Sequence, residues 1–149
     1  MAATYSELPN KLVSAANGVD YAYREAGGGT VPLVLLQHFR GNLDNWDPAL
    51  IDALAANRHV VTFDNAGVGG SAGTTPNSVG QMAHDAIAFL AAMGFGQVDV
   101  LGFSIGSFVA QVPFQHHAEF AADCQAFLSG QASLRAAQKR RPPLPWPLL

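Results

Sequence analysis

The chain has 149 residues, of which 49% are apolar and 13% are charged, a balance that suits one folded domain and excludes a disordered chain. Its net charge of -3 leaves no broad basic surface for phosphate backbones, so we expect no nucleic acid among its partners. The first residues lack the apolar core of a signal peptide and no stretch is apolar enough to cross a bilayer, so we predict a cytoplasmic protein without a membrane partner.

The first predicted elements form a hairpin. Residues 12–16 favour a short strand, and residues 19–25 alternate apolar and polar side chains as a half-buried strand does. Between them lies the pair Asn17-Gly18, which is typical of a tight turn because both residues tolerate positive φ. The sequence therefore predicts an opening antiparallel hairpin that ends at the three glycines of residues 27–29.

Three apolar runs further along the chain are predicted to be buried parallel strands, because each is short, continuous and followed by a helical pattern. The strands are residues 33–37, 59–63 and 97–103, and the helices are residues 45–56, 80–93 and 105–111. Alternation of strand and helix indicates right-handed βαβ units. We therefore predict an α/β fold whose mostly parallel sheet follows an antiparallel hairpin and carries helices on both faces.

The pattern weakens beyond Gln111. Residues 112–138 are rich in alanine and glutamine and favour an atypical helix, although Pro113 would disturb its first turns. Residues 139–149 are rich in proline and arginine and predict a loose or polyproline tail. We therefore divide the chain into a domain at residues 1–138 and a tail at residues 139–149.

The segment Gly102-Phe103-Ser104-Ile105-Gly106 carries the strongest chemical signal. It is a G-x-S-x-G motif with an apolar strand before it and a helical pattern after it. A serine at so sharp a turn sits in strained backbone geometry, and the two glycines leave room where side chains would collide. The turn lifts the serine hydroxyl above the sheet, at a helix N-terminus that favours negative charge. The alternative is a structural serine that caps a helix after a glycine-rich turn.

These features resemble the α/β-hydrolase superfamily, in which an apolar strand is followed by a His-Gly-x loop, a glycine and a tryptophan. Here the loop is Gln37-His38-Phe39-Arg40-Gly41 with Trp46 downstream, so glutamine and histidine stand where many members have histidine and glycine. Residues 64–71 are similar to the family's Asp-x-x-Gly-x-Gly-x-Ser loop, which shapes the floor of the site. The resemblance covers residues 12–111 and implies an incomplete α/β-hydrolase fold.

The resemblance also implies a site. Ser104 would be the nucleophile toward an ester or related small acyl substrate, and the N–H groups of Phe39 and Ile105 would form the oxyanion hole. Two such backbone donors lower the barrier by about 3–4 kcal/mol each. The strands ending at Gln37 and Phe103 would be neighbours, which would bring Phe39 and Ser104 to the same rim of the sheet.

A base and an acid for the serine are missing from this pattern, although the family supplies both from later strands. The acids and histidines after Ser104 are Glu119, Asp123, His116 and His117. On a continuous helix the two histidines would lie about 18 Å from the serine, too far for a base. His38 lies nearer, and we interpret it as a loop residue with satisfied hydrogen bonds.

The remaining polar residues predict neither a metal nor a cofactor. His59 is expected at the opposite end of its strand and His84 on a covering helix, and the scattered histidines lack metal-ligand spacing. The glycines of residues 67–70 do not keep the spacing of a dinucleotide-binding loop. Cys124 is the single cysteine, which excludes an internal disulfide.

Two functions therefore remain open. The chain is a serine hydrolase whose activity is in doubt without an acid and a histidine, or it is a non-catalytic pseudoenzyme or interaction module. The weakening pattern after Gln111 leads us to expect a shifted reading frame or a truncated gene product. A sheet that ended at residue 103 would expose an edge strand, through which we expect self-association.

Overall fold

The computed structural model of the protein describes residues 3–115, with side chains described as far as Val112. The predicted tail at residues 139–149 and most of the predicted helix at residues 112–138 lie outside the described residues. The two histidines and two acids that follow Ser104, and the single cysteine, also lie outside the described residues: His116, His117, Glu119, Asp123 and Cys124.

A five-stranded sheet forms the centre of the described chain. Its strands are β1 (Lys11–Ser14), β2 (Asp20–Ala26), β3 (Leu33–Leu36), β4 (Val60–Phe63) and β5 (Asp99–Gly102), in the order β1-β2-β4-β3-β5. β2 runs antiparallel to β1 and β4, whereas β4, β3 and β5 are parallel. Only β2 therefore opposes the common direction. The predicted opening hairpin and mostly parallel sheet are confirmed.

The register of β3 and β5 fixes which loops meet at the rim. Leu33 lies opposite Asp99 and Leu36 lies opposite Gly102, so the two strands end side by side. Parallel neighbours present their carboxyl ends at one edge of the sheet, which is where α/β folds place ligands. The prediction that the strands ending near Gln37 and Phe103 are neighbours is confirmed.

Within residues 3–115, three helices cover the sheet. They are α1 (Pro48–Ala55), α2 (Val79–Ala92) and α3 (Ile105–Gln115), with short 3-10 turns at Tyr5–Glu7 and Leu43–Asn45. The side chains of Asp47 and Ser78 accept N–H groups at the starts of α1 and α2, as N-caps do. α3 begins where residues 105–111 predicted a helix and continues through Pro113 to Gln115. Among residues 3–115, no helix is long and apolar enough to cross a membrane.

The central strands bury both of their faces, as their continuous apolar runs predict. Leu33 and Leu35 pack with Trp46 and with Ile51 of α1 on one face. The alternate strand residues pack against α2 and α3 on the other face, in a cluster whose largest members are Tyr21, Phe63 and Phe89. The rings of Phe63 and Phe89 are stacked with centroids 4.2 Å apart. Helices therefore lie on both faces, as predicted.

β5 is less buried than its parallel neighbours. Every residue of β3 and β4 is buried, whereas those of β5 are half-buried or exposed, with Val100 45% exposed. Within the described residues, β5 has a neighbouring strand only on its β3 side. Among residues 3–115 it is therefore an edge strand of the sheet.

Candidate active site

Ser104 lies at the junction between β5 and α3. Its φ of 55° falls in the left-handed region, which only one other described non-glycine residue adopts. A residue held there costs about 1–3 kcal/mol and persists only where the surrounding structure imposes it. The residue is also exposed. The strained, solvent-facing turn that the motif predicted is therefore present.

The two motif glycines explain how this turn is imposed. A Cβ added at Gly106 would overlap the carbonyl oxygen of Leu36 at the end of β3. A Cβ added at Gly102 would lie 2.5 Å from the carbonyl oxygen of Gly106. Both contacts are with backbone atoms, which cannot move aside as a side chain can. Because Gly102 and Gly106 have no side chain, α3 can begin in direct contact with the end of β3.

The loop after β3, residues 37–46, lies beside this turn and is here called the β3 loop. The N–H of Phe103 donates to the carbonyl oxygen of Leu36 at 2.9 Å. The Phe103 ring also contacts two rings of the β3 loop, with centroids 6.0 Å from His38 and 6.3 Å from Trp46. The structure thus brings together the two segments that carry Phe39 and Ser104.

The tip of the β3 loop is a tight turn. The N–H of Gly41 donates to the carbonyl oxygen of His38 at 2.9 Å, and Arg40 has a φ of 59°. A positive φ at the third position is typical of a type II turn. Phe39 occupies the second position and is 51% exposed, and its N–H takes no part in the hydrogen bond that closes the turn.

Ile105 is the first residue of α3. The first N–H groups of a helix have no partner within the helix, and the helix dipole favours negative charge beside them. Phe39 and Ile105 thus lie on the two segments that meet at Ser104. Their role as oxyanion donors stays a prediction.

The described histidines lie where the sequence predicted. His38 places Nδ1 3.1 Å from the carbonyl oxygen of Phe39, so its ring contacts the loop's own backbone. His59 immediately precedes β4, and its Nε2 is 3.1 Å from a carboxylate oxygen of Glu25. That pair sits at the amino end of β4, opposite the rim that carries Ser104. His84 lies on α2.

Asp64 directly follows β4 and is the most buried charged residue beneath the rim, with 2% exposure. Burial raises the pKa of its carboxyl, and N–H bonds from Gly70 and Leu43 oppose that rise. The sequence placed Asp64 in the loop that shapes the floor. It did not indicate Tyr5, whose buried hydroxyl also contacts the β3 loop, and no local pattern at residues 3–8 marks that tyrosine.

No metal site accompanies the serine in the part of the chain that the structure describes. There, no group of three or more histidine, cysteine, aspartate or glutamate side chains could hold a metal ion.

Similar proteins were found by family, by sequence and by structure. A family model described as alpha/beta hydrolase fold matches residues 31–141. The protein named carbamate hydrolase RutD from Azorhizobium caulinodans is 35% identical over 58% of this chain and 33% of its own length. The protein named non-heme bromoperoxidase BpoC from Mycobacterium tuberculosis is 31% identical over 62% of this chain and 36% of its own length.

Among solved structures, an α/β-hydrolase fold protein from Chitinophaga pinensis is 43% identical with a TM-score of 0.72, over 76% of this chain and 41% of that chain. The chain spans about a third of the length of the two curated relatives. The family match extends past Gln111, where the sequence pattern weakens. A shifted reading frame or a truncated gene product stays a prediction.

Proposed function

This chain belongs to the α/β-hydrolase fold family, and we propose that it is a hydrolase that uses the hydroxyl of Ser104 as nucleophile toward an ester or related small acyl substrate. One observation carries the proposal. Ser104 is exposed and held at a φ of 55° between two glycines that have no room for a side chain. Strain of this kind persists at functional sites because the surrounding structure is built around it.

The proposed chemistry follows from the rim. The Ser104 oxygen attacks the carbonyl carbon of the substrate, and the carbonyl π electrons move to its oxygen. The N–H groups of Phe39 and Ile105 donate to that oxyanion while a base takes the serine proton. The carbonyl re-forms as the bond to the leaving group breaks, and the base returns the proton to that group. Water then attacks the acyl-serine in the same way, which releases the acid and restores Ser104. We assign neither His38 nor His59 as the base, because the first contacts its own loop and the second pairs with Glu25 at the far end of β4.

We therefore propose that residues 3–115 supply the nucleophile and the oxyanion hole, and that the base and the acid come from another chain, without which the activity is weak. A relative that is 35% identical is named a carbamate hydrolase. A carbamate, like an ester, has a carbonyl carbon that a serine oxygen can attack. That likeness supports an acyl substrate for this chain without choosing among esters, carbamates and related compounds.

The alternative is a non-catalytic pseudoenzyme or interaction module. It is favoured by the positions of His38 and His59, which leave Ser104 without a base from either residue. In this case the rim would keep its shape and bind a ligand without turnover. The experiment below separates the two functions.

The proposal extends to the partners and the compartment of the protein. The substrate is a small acyl compound, with no nucleic acid, membrane or cofactor involved, and the compartment is the cytoplasm. Two copies are expected to associate through β5, whose outer edge has no neighbouring strand within the described residues. Light scattering over a concentration series would detect this association.

A fluorophosphonate probe tests the proposed nucleophile, because it reacts with activated serine hydroxyls. We expect the 149-residue chain to be labelled and the Ser104→Ala variant to be unlabelled. The matched control is Ser6→Ala, which removes an exposed serine from a 3-10 turn and should label like the wild type. A folded wild-type chain that takes no label would favour the non-catalytic alternative, and labelling that survives Ser104→Ala would contradict the assignment.

A further inference from the structure

We propose that Tyr5, Thr62 and Asp64 are positioning residues that hold the backbone of Leu43 and thereby fix the oxyanion donor of Phe39 beside Ser104. These three residues are called the Leu43 clamp. The inference rests on the proposed function for its catalytic consequence, whereas the contacts that define the clamp stand independently of it.

The β3 loop is exposed near Phe39 and buried near Leu43. Its tip carries Phe39, which is 51% exposed, and within the tip only one backbone hydrogen bond closes the turn. Leu43, four residues later, is 2% exposed. Apart from the contact of the His38 ring with Phe103, the position of the exposed tip depends on the two points at which its ends are anchored. One anchor is β3, and the other is Leu43.

Asp64 holds the N–H of Leu43. Its Oδ1 accepts that N–H at 2.7 Å, and its Oδ2 accepts the N–H of Gly70 at 2.7 Å. The backbone N–H of Asp64 donates to the carbonyl oxygen of Ala22 at 2.9 Å, so the carboxylate is itself fixed to β2. Gly69 has a φ of 55°, and a Cβ there would overlap Oδ2. The glycine-rich floor thus makes room for the carboxylate.

Tyr5 holds the carbonyl of Leu43. Its hydroxyl donates to that oxygen at 2.8 Å and lies 2.9 Å from the hydroxyl of Thr62. A phenol has one proton, and Tyr5 gives it to Leu43, so Thr62 donates to the Tyr5 oxygen. Burial raises the pKa of Tyr5, which keeps the phenol protonated. The backbone N–H of Tyr5 donates to Asp52 of α1 at 2.8 Å.

The surrounding charges strengthen the same anchor. The guanidinium of Arg24 lies over the Tyr5 ring, 5.2 Å from its centroid, and pairs with Asp44 at 2.9 Å. Asp44 directly follows Leu43. Tyr5 from the chain start and Asp64 from the floor loop thus hold the backbone of Leu43, and Thr62 of β4 and Arg24 of β2 support Tyr5. A buried backbone N–H and C=O need hydrogen-bond partners, and here both partners are side chains from distant parts of the sequence, so the position of Leu43 depends on them.

Precise placement of Phe39 matters because an oxyanion donor works only within about 2.7–3.1 Å of the developing charge. A displacement of about 1 Å in a positioned group can lower a rate about 100-fold. We therefore expect partial release of the clamp to slow the reaction of Ser104 about 10-fold. Binding of the probe should change little, because Tyr5, Thr62 and Asp64 lie beneath the rim.

Two measurements test the clamp on Tyr5→Phe and Asp64→Asn in the 149-residue chain. Tyr5→Phe removes only the hydroxyl, and Asp64→Asn leaves one acceptor oxygen where two N–H groups require one each. The matched control is Asp85→Asn, which alters a buried carboxyl on α2 whose hydrogen bond is to Gln81. Each variant is first shown to be folded by near-ultraviolet circular dichroism, and Tyr5→Phe is the milder change if Asp64→Asn does not fold.

The first measurement is amide hydrogen exchange. We expect the hydrogen-bonded amides of Gly41, Asn42 and Leu43 to exchange about 10-fold faster in both clamp variants, with β3 and β4 unchanged and Asp85→Asn like the wild type. Wild-type exchange in this loop in a folded clamp variant would overturn the clamp, whether or not the chain has activity.

The second measurement is the rate of fluorophosphonate labelling, resolved into the probe's binding constant and its maximal reaction rate. We expect the maximal rate to fall about 10-fold in the clamp variants with binding unchanged, whereas a purely structural role would leave it at the wild-type value in folded protein. An unchanged maximal rate despite faster loop exchange would overturn the positioning role. If the wild type takes no label, the proposed function fails and the exchange result still decides the clamp.

Discussion

The two segments that meet at the rim are held by opposite means. The β3 loop is fixed by buried side-chain hydrogen bonds from residues far away in the sequence, through Tyr5 and Asp64 to Leu43. The serine turn after β5 is fixed by its own backbone, with the N–H of Ser107 donating to the Ser104 carbonyl at 3.0 Å and no room for side chains at the flanking glycines. The β3 loop depends on the oxygen atoms of Tyr5 and Asp64, whereas the serine turn depends on the absence of Cβ atoms at Gly102 and Gly106.

This difference predicts which changes each segment tolerates. In the serine turn, adding a single methyl group should be the damaging change. In the β3 loop, removing a single oxygen atom should be the damaging change. Three sets of variants test this contrast and a fourth tests a buried carboxyl outside both segments, in order of decreasing expected effect.

Gly106→Ala should have the largest effect. The added Cβ would overlap the Leu36 carbonyl oxygen, and we expect the free energy of unfolding to fall by about 3 kcal/mol, the upper end of the cost of overpacking. Urea titration followed by circular dichroism measures it. The matched control is Gly80→Ala in α2, where a Cβ meets nothing within 4 Å and should stabilise the helix by about 0.5 kcal/mol. Equal stability of the two variants would break the steric account of the turn.

Asp64→Ala should have the next largest effect. It leaves the N–H groups of Leu43 and Gly70 without their carboxylate, and we expect a loss of about 2 kcal/mol. Tyr5→Phe removes one neutral donor and should cost about 1 kcal/mol. Chemical denaturation ranks the two variants. The reverse order would mean that the phenol, and not the carboxylate, is the main anchor of the β3 loop.

Ser104→Gly should stabilise the chain while removing the nucleophile. Glycine adopts a φ of 55° without the strain of a side chain, so we expect a gain of about 1 kcal/mol together with complete loss of probe labelling. Arg40→Gly is the matched control for conformational relief, because Arg40 has a φ of 59° but no assigned role in the chemistry. It should gain a similar amount. Destabilisation by Ser104→Gly would contradict the view that strain is stored at the serine.

The smallest effect concerns a buried carboxyl away from the rim. Burial raises the pKa of Asp85 above its ordinary value, so folded protein keeps this proton to a higher pH than unfolded protein does. Stability should therefore fall as the pH rises from about 4 through the folded pKa. Asp85→Asn removes this titrating carboxyl, so its stability relative to the wild type should rise between pH 4 and pH 7. Urea midpoints at both pH values measure it, and parallel pH profiles would contradict the assignment.

Local patterns were enough to predict the elements. Continuous apolar runs identified β3 to β5 because strands buried on both faces need apolar residues at every position. The helices were located by recurring apolar residues, with boundaries that differ by up to four residues from those observed. With the family match, the partial α/β-hydrolase fold predicted from the motifs is confirmed. The roles of Ser104, Phe39 and Ile105 stay predictions that the proposed labelling tests.

By itself, the sequence determined the strained turn at Ser104, because the residues that impose it are adjacent and their requirement for glycine is local. Only the tertiary structure showed what holds the other side of the rim. The bonds from Tyr5 to Leu43 and from Asp64 to Leu43 join residues 38 and 21 positions apart. Such pairs leave no periodic trace in the chain, since hydrogen-bond partners are chosen by where folding brings the backbone and not by their spacing in sequence.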